Sequence, residues 1–131
     1  MQSLSETIRN SPVRVVPGRY AVVKCAGVPA GFSYFMVARD ADEITVIAEE
    51  SEVLELQALE VENGYTLLEI KVAAPFQGVG FLATVSGAIA AAGLNMLIVS
   101  TYSKDYILLK EETATLGIQA LSSAGFPVMQ P

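Results

Sequence analysis

The sequence predicts an α+β fold with antiparallel sheets that carry their helices on one face. From residue 65 to residue 128, strand-like and helical patterns follow in the order β-α-β-β-α-β, which is the order of a ferredoxin-like unit. The first half repeats part of this order at an offset of 62 residues, close to half of the 131-residue chain. We therefore expect two such units in tandem, residues 1–62 and residues 63–131, with an irregular first unit.

The second half is marked by apolar runs and by residues that end helices. Strand-like runs over 65–73 and 94–102 flank a helix predicted over 80–92, in which Leu82, Val85 and Ile89 recur at helical spacing. Gly93 stands where a left-handed residue after the helix is expected. The other face of this helix carries only small, uncharged residues, so we expect a second helix or a subunit to cover it.

Its remaining elements are shorter. A strand over 106–109 runs back after a polar turn, and Thr113 is suited to cap a helix over 114–124. Gly125 ends that helix, and a last strand is predicted over 126–128.

The first half contains the hairpin of this pattern without the helix before it. Residues 35–39 align with 97–101, and residues 44–50 align with 106–112. The chain between Cys25 and Ser33 is too short for a helix. The acidic stretch 49–62 is therefore expected to hold the only helix of this half, or another exposed strand. Its carboxylates form either a solvated face or, as the alternative, an acidic patch for a cation or a basic partner.

Charge is distributed unevenly along the chain. Residues 39–71 carry ten acids and two bases, whereas residues 72–103 carry no charge at all. A membrane span is one interpretation of the uncharged stretch. However, Pro75 and nearby glycines interrupt its start, and Gly93 interrupts its middle. A short helix followed by a buried strand explains it better, so no membrane association is expected.

Composition excludes most catalytic chemistry. The chain has no histidine and one cysteine, which rules out imidazole bases, histidine-containing triads, internal disulfides and Cys-rich metal sites. No spacing among the carboxylates and lysines suggests a catalytic pair, so we expect no enzyme activity, catalytic residue, metal or cofactor. The net charge of −6 argues against nucleic acid as a partner. Residues 1–10 carry no apolar core of signal-peptide length, and Cys25 is expected to be a packed strand thiol, which together predict a cytoplasmic protein.

Three segments resemble an ACT domain. They are Gly78–Phe81, Ala91–Met96 and the run from Ser100 to Leu108, which contains Ser-Thr-Tyr-x-x-Asp-Tyr. More narrowly, they are similar to tandem ACT proteins related to the aspartokinase regulatory region and to the CASTOR arginine sensors. The resemblance covers residues 65–128 well and the first half only through its hairpin.

This resemblance implies ligand binding without turnover. ACT units pair side by side and bind small effectors, usually amino acids, at the seam, so it implies an amino acid as ligand, a homodimer and a partner enzyme under regulation. The motif positions that correspond to ligand contacts are Gly78, Val79, Gly80, Phe81, Asn95, Met96, Thr101, Tyr102 and Asp105.

The same residues have a chemical interpretation of their own. Gly78 and Gly80 let backbone N–H groups approach a carboxylate at a helix N-terminus, and Asp105 offers a counter-charge to an ammonium or guanidinium group. Each of these residues is also explained without a ligand, as a residue that forms a turn. Two functions therefore stay open: an amino-acid-sensing regulatory module, or a non-catalytic interaction module that regulates a partner enzyme without a ligand of its own.

Overall fold

The computed structural model describes residues 2–31 and 34–129 and divides the chain into two compact units. The larger unit contains the chain up to Pro17 and from Thr66 onward, and the smaller unit is Gly18–Tyr65. Two long strands, β1 (Val13–Cys25) and β4 (Ala58–Lys71), have residues in both units. The tandem division at residue 62 stays a prediction about the two halves. The two compact units have other bounds, because residues 2–17 pack with the C-terminal part of the chain.

The larger unit is an antiparallel sheet with helices. Its strands follow the order β1, β4, β6 (Lys104–Lys110) and β5 (Leu97–Ser100). Besides the start of β1 and the end of β4, its elements are α1 (Leu4–Arg9), α2 (Phe81–Ala91), β5 (Leu97–Ser100), β6 (Lys104–Lys110) and α3 (Ala114–Ser123). This arrangement confirms the predicted fold class.

One core lies between the sheet and the helices of this unit. Alternate residues of the strands face it, as the two-residue period of a β-strand requires. The buried residues of this core are Ile8, Val13, Leu68, Ile70, Phe81, Val85, Ile89, Ile107, Leu109, Leu121 and Phe126. The opposite face of the sheet carries the polar group around Glu69 described below.

Helix α2 ends as its sequence predicts. Gly93 adopts φ +77°, its N–H donates to the carbonyl of Ala90 (2.9 Å), and the N–H of Leu94 donates to the carbonyl of Ile89 (3.2 Å). These two bonds form a Schellman motif, in which a left-handed residue lets the chain satisfy the last carbonyls of the helix. The predicted helix and its end are confirmed.

Two glycines of this segment should respond oppositely to alanine. Gly93→Ala places a Cβ in a left-handed conformation and should cost about 1–2 kcal/mol of unfolding free energy. Gly87→Ala, in the middle of α2, meets open space and should gain about 0.5–1 kcal/mol from helix propensity. Urea denaturation of both variants measures the two values. Equal effects of the same sign would contradict this account of the helix end.

The second predicted helix is also confirmed, but its cap differs. Thr113 stands at the N-cap position, yet its Oγ1 donates to the carbonyl of Lys110 (2.9 Å) and caps no N–H group of the helix. Gly125 ends α3 at φ +107°, with the N–H of Phe126 bonded to the carbonyl of Leu121 (3.1 Å).

Three strand predictions had the wrong extent. β5 is confined to four residues rather than 94–102, and β4 begins at Ala58 rather than at residue 65. The predicted last strand is reduced to one parallel bridge, Val13 to Val128. Its hydrogen bonds come from Val13 to Pro127 (2.7 Å) and from Met129 to Val13 (2.8 Å). The place beside β4 that this last strand was predicted to fill is taken by β1, a distant segment of the chain, and β6 lies on the other side of β4.

The smaller unit is a sheet with a separate core. β3 (Ile44–Glu49) pairs antiparallel with β1 and with β2 (Met36–Arg39). A 3₁₀ helix (Glu50–Glu55) follows β3, and the described residues 18–31 and 34–65 contain no α-helix. The core residues are Ala21, Val23, Cys25, Val46, Ala48 and Leu56, so the expected packed thiol is confirmed.

The two hairpins agree with the offset of 62 residues to within two positions. β2 and β3 of the smaller unit align with β5 and β6 of the larger one, and each hairpin is followed by a glutamate-rich 3₁₀ turn. The acidic stretch 49–62 contains a short 3₁₀ helix, followed by the exposed start of strand β4.

The uncharged stretch 72–103 is divided among a loop, α2 and β5. Within residues 2–31 and 34–129, no helix has the length and apolar character needed to cross a membrane.

Candidate functional site

A loop and an uncapped helix start form one side of the candidate site. Gly80 occupies the N-cap position of α2 with φ +85°, and having no side chain it provides no capping hydrogen bond. Gly78 accepts from the N–H of Phe81 (3.0 Å). The next N–H groups of the helix, those of Leu82 and Ala83, have no partner within an α-helix. Together with the helix dipole they favour an anion at this position.

The turn between β5 and β6 forms the other side. Ser100 pairs with Asp105 across the hairpin, and its Oγ donates to Oδ1 of Asp105 (2.7 Å). The N–H of Thr101 donates to the carbonyl of Lys104 (2.9 Å), which closes the turn. The N–H of Val72 donates to the carbonyl of Ser103 (3.2 Å) and thereby ties the turn to the end of β4.

Asp105 is the notable side chain of this turn. It is only 8% exposed, and among the described residues its side chain has no hydrogen-bond partner other than Ser100. A carboxylate accepts at both oxygens, so Oδ2 keeps its full capacity to accept a bond. Among the described residues no buried side-chain nitrogen or oxygen lacks a hydrogen-bond partner, so Oδ2 is reached by solvent, and a cationic ligand group would replace water as its donor.

The two sides enclose a cavity of about 400 Å³, within the usual range for small-molecule sites. Its lining includes six of the nine predicted contact residues: Gly78, Val79, Phe81, Thr101, Tyr102 and Asp105. Gly80 begins the helix beside it without lining it. Asn95 and Met96 do not line it either, since Asn95 is exposed after α2 and Met96 packs against the core.

Several lining residues were not predicted from the sequence: Val72, Pro75, Phe76, Gln77, Leu82, Ser100, Ser103 and Lys104. Leu82 is a correction, because its helical spacing with Val85 and Ile89 predicts an inward-facing residue. It is 46% exposed instead. Phe76 stands out among the others, since its ring packs edge-to-face against Tyr102 with centroids 5.0 Å apart. No sequence motif marks it.

Glu69, on the opposite face of the sheet, forms ion pairs with two basic side chains near the site. Oε2 of Glu69 accepts from Arg14 (3.0 Å) and from the hydroxyl of Tyr106 (3.1 Å), and it lies 3.9 Å from Nζ of Lys104. Burial alone would raise the pKa of Glu69. The two hydrogen bonds and the charges of Arg14 and Lys104 outweigh it and lower that pKa.

This cluster predicts an acid-dependent loss of stability. The lowered pKa means that the folded protein binds fewer protons at Glu69 than the unfolded chain does. The stabilisation is therefore present above the unfolded pKa of about 4.3 and is lost as the pH falls through the folded value. Glu69→Gln should lower stability at pH 7 and flatten its decline between about pH 5 and pH 3. Urea denaturation across this pH range measures it, with Glu55→Gln at an exposed position as the control. A Glu69→Gln profile parallel to that of the wild type would contradict the assignment.

Comparison with known proteins identifies the module that contains this site. Residues 60–123 match the family model described as ACT domain. This part of the chain is similar to an ACT domain. The resemblance found in the sequence is thereby confirmed, and ACT domains are regulatory modules that are not themselves catalytic.

Solved structures with the same fold cover nearly the whole chain. A protein from Agrobacterium tumefaciens has a TM-score of 0.77 at 17% identity, covering 91% of this chain and 92% of its own. A protein of unknown function from Vibrio cholerae, described as a possible transport protein, has a TM-score of 0.73 at 18% identity, with 93% and 95% covered. The regulatory subunit of aspartate kinase from Thermus flavus has a TM-score of 0.67 at 12% identity, with 86% and 95% covered. None of the curated proteins searched is a match.

Proposed function

We propose that this chain is a regulatory module whose ACT domain binds a free amino acid in the cavity between the α2 loop and the β5–β6 turn. The observation that carries the proposal is that one cavity brings together the start of a helix and an acidic side chain. The uncapped start of α2 favours a carboxylate, and Oδ2 of Asp105 has no donor among the described residues. A free α-amino acid presents a carboxylate and an ammonium group on one carbon, which matches this pair.

A second copy of the chain is proposed to complete the site. Strand β5 stands at the end of the strand order, and on the described residues its outer edge has no neighbouring strand. Leu97 and Ile98 are more than a third exposed there, and no charge protects this edge. Natural sheets usually protect such an edge with charges, proline or a covering element. An isologous pair of β5 edges would place two ACT domains side by side.

The dimer has a direct test. Light scattering during size-exclusion chromatography should give twice the mass of 13.9 kDa at micromolar concentration. Ile98→Lys should return the mass to that of one chain, because a charge would then lie at the paired edge. Leu116→Lys, at an exposed leucine of α3, is the matched control and should remain dimeric. A wild-type protein that is monomeric throughout would contradict this part of the proposal.

The alternative is an interaction module without a ligand, and the outer face of α2 favours it. Leu82, Ala83, Ser86, Gly87 and Ala90 are exposed and uncharged, whereas solvated helix faces normally carry charged residues. A partner enzyme docked on this face would explain the composition equally well. In both versions the protein is non-catalytic, acts in the cytoplasm and uses neither nucleic acid nor membrane as a partner.

A stability measurement tests ligand binding. Thermal unfolding is followed with each of the twenty standard amino acids at millimolar concentration. A ligand present at about 100 times its dissociation constant should add about 2.7 kcal/mol to the unfolding free energy. If folded protein shows no shift with any of the twenty, the amino-acid proposal is wrong and the interaction module is favoured.

A further inference from the structure

The mouth of the cavity is lined by large apolar side chains that are almost fully exposed. Phe76, Val79 and Tyr102 are 81%, 93% and 83% exposed. Scattered exposed apolar residues are common on protein surfaces, but a group around one cavity indicates an interaction site. Phe76 and Tyr102 form an edge-to-face pair with an angle of 76° between their ring planes. The two rings together form an aromatic surface at the mouth of the cavity, called the aromatic wall below.

The backbone of Phe76 supports a role for this wall. Its φ of +66° is the only positive value among the non-glycine residues described. For a bulky residue this conformation is a genuine outlier and costs about 1–3 kcal/mol, and such residues cluster at ligand sites. Its ring contributes little to the core, since four-fifths of the residue is exposed. The conformation therefore brings an aromatic ring to the cavity without a compensating gain in burial.

The charges around the cavity limit what the ligand side chain can be. Asp105 is the only acid among the lining residues, and the proposed α-ammonium group uses it. A cationic side chain would find no second carboxylate there. Lys104 is the only base among the lining residues, and its Nζ lies near Glu69, which already offsets its charge. An anionic side chain would therefore compete with Glu69 for its cation.

From these observations we infer that the cavity selects an amino acid with a large, uncharged, apolar side chain, and an aromatic one in particular. The inference rests on the proposed amino-acid site and adds its specificity. The α-carboxylate lies at the start of α2 and the α-ammonium group at Asp105. The side chain then packs on Phe76, Tyr102 and Val79. Such a contact removes apolar surface from water on both partners and adds an aromatic pairing.

Calorimetric titration of the full chain tests this specificity. The probes are L-phenylalanine, L-leucine, L-alanine, L-lysine and L-glutamate. Phenylalanine should bind most tightly and alanine at least about tenfold more weakly, because alanine cannot reach the aromatic wall. Phe76→Ala and Tyr102→Ala should each weaken phenylalanine binding by about 3- to 10-fold and leave alanine binding within about twofold. Both residues are exposed, so both variants should fold. Leu116→Ala, an exposed leucine away from the cavity, should change neither affinity.

The outcomes separate the inference from the function on which it rests. Tightest binding of lysine or glutamate would overturn the specificity and leave the amino-acid site standing. Phenylalanine binding that neither variant weakens would also overturn it, since the rings would then not contact the ligand. If folded protein binds none of the five probes, the specificity is wrong, and if it binds none of the twenty standard amino acids, the proposed site is wrong as well.

Discussion

Asp105→Asn should weaken amino-acid binding by about 10- to 100-fold. A hydrogen bond to a charged group contributes about 1.5–3 kcal/mol, and the substitution removes the negative charge that faces the ligand ammonium group. The fold should be preserved, because an asparagine amide oxygen can still accept the bond from Ser100. Titration with the amino acid that gives the largest thermal shift measures the change, and the unliganded melting temperature shows that the variant is folded.

The control for this variant is Asp42→Asn. Asp42 is an exposed acid in another turn, so this variant makes the same change in net charge without touching the cavity. It should bind like the wild type. Equal affinity of Asp105→Asn and the wild type would mean that Asp105 is only a turn residue. A dimer mass that persists in Asp105→Asn would separate ligand binding from assembly.

Phe126→Ala should be the most destabilising of the substitutions considered. Phe126 is 2% exposed and packs edge-to-face on Phe81 at 5.6 Å, between the end of α3 and the start of α2. Truncation of a buried phenylalanine costs about 3–5 kcal/mol, since it loses transfer free energy and leaves a cavity. That is a large part of the roughly 5–15 kcal/mol by which domains are stable. Because Phe81 begins α2, the helix start at the ligand cavity should loosen as well.

The matched control is the same substitution at Phe76. That side chain is exposed, so Phe76→Ala should change the unfolding free energy by no more than about 0.5 kcal/mol. Guanidinium denaturation at 25 °C compares the two variants. Similar losses for both would contradict the assignment of Phe126 to the core and of Phe76 to the cavity mouth.

The parts of the fold that the sequence predicts well are those governed by local chemistry. Helices α2 and α3 end at Gly93 and Gly125 because both glycines adopt the left-handed conformation that ends a helix. The two hairpins could be located from their matching patterns. One local signal was missed. Helix α1 is short, but Ser3 caps its start: the N–H of Glu6 donates to Oγ of Ser3 (3.1 Å), and Oγ of Ser3 donates to Oε1 of Glu6 (3.0 Å).

The features that could not be predicted depend on contacts between distant residues. Strand β4 pairs with β1 rather than with the C-terminal segment. The sequence pattern of residues 126–128 does not indicate this, because the pairing depends on contacts between distant parts of the chain. The start of β4 is also hidden, because its exposed, acidic residues lack the alternation of a half-buried strand.

The candidate site shows the same limit. Its glycines and Asp105 could be proposed from a motif, and the structure brings them together around one cavity. Phe76 could not, because its place at the cavity mouth depends on a positive φ that no sequence pattern indicates. Leu82 was misplaced because α2 turns that residue toward the loop rather than the core. Helical spacing identifies a face but not what the face meets.

Amide chemical-shift mapping tests the central claim, binding of an amino acid in the loop cavity, most directly. The ¹⁵N-labelled protein is titrated with the amino acid that gives the largest thermal shift. The largest shift changes should fall on the amides of Gly78, Gly80, Leu82 and Asp105, with smaller ones on Tyr102. Saturable changes confined to these segments would support the account. No change at 10 mM ligand (about 100-fold above a Kd of 0.1 mM), or changes centred on other elements, would contradict it.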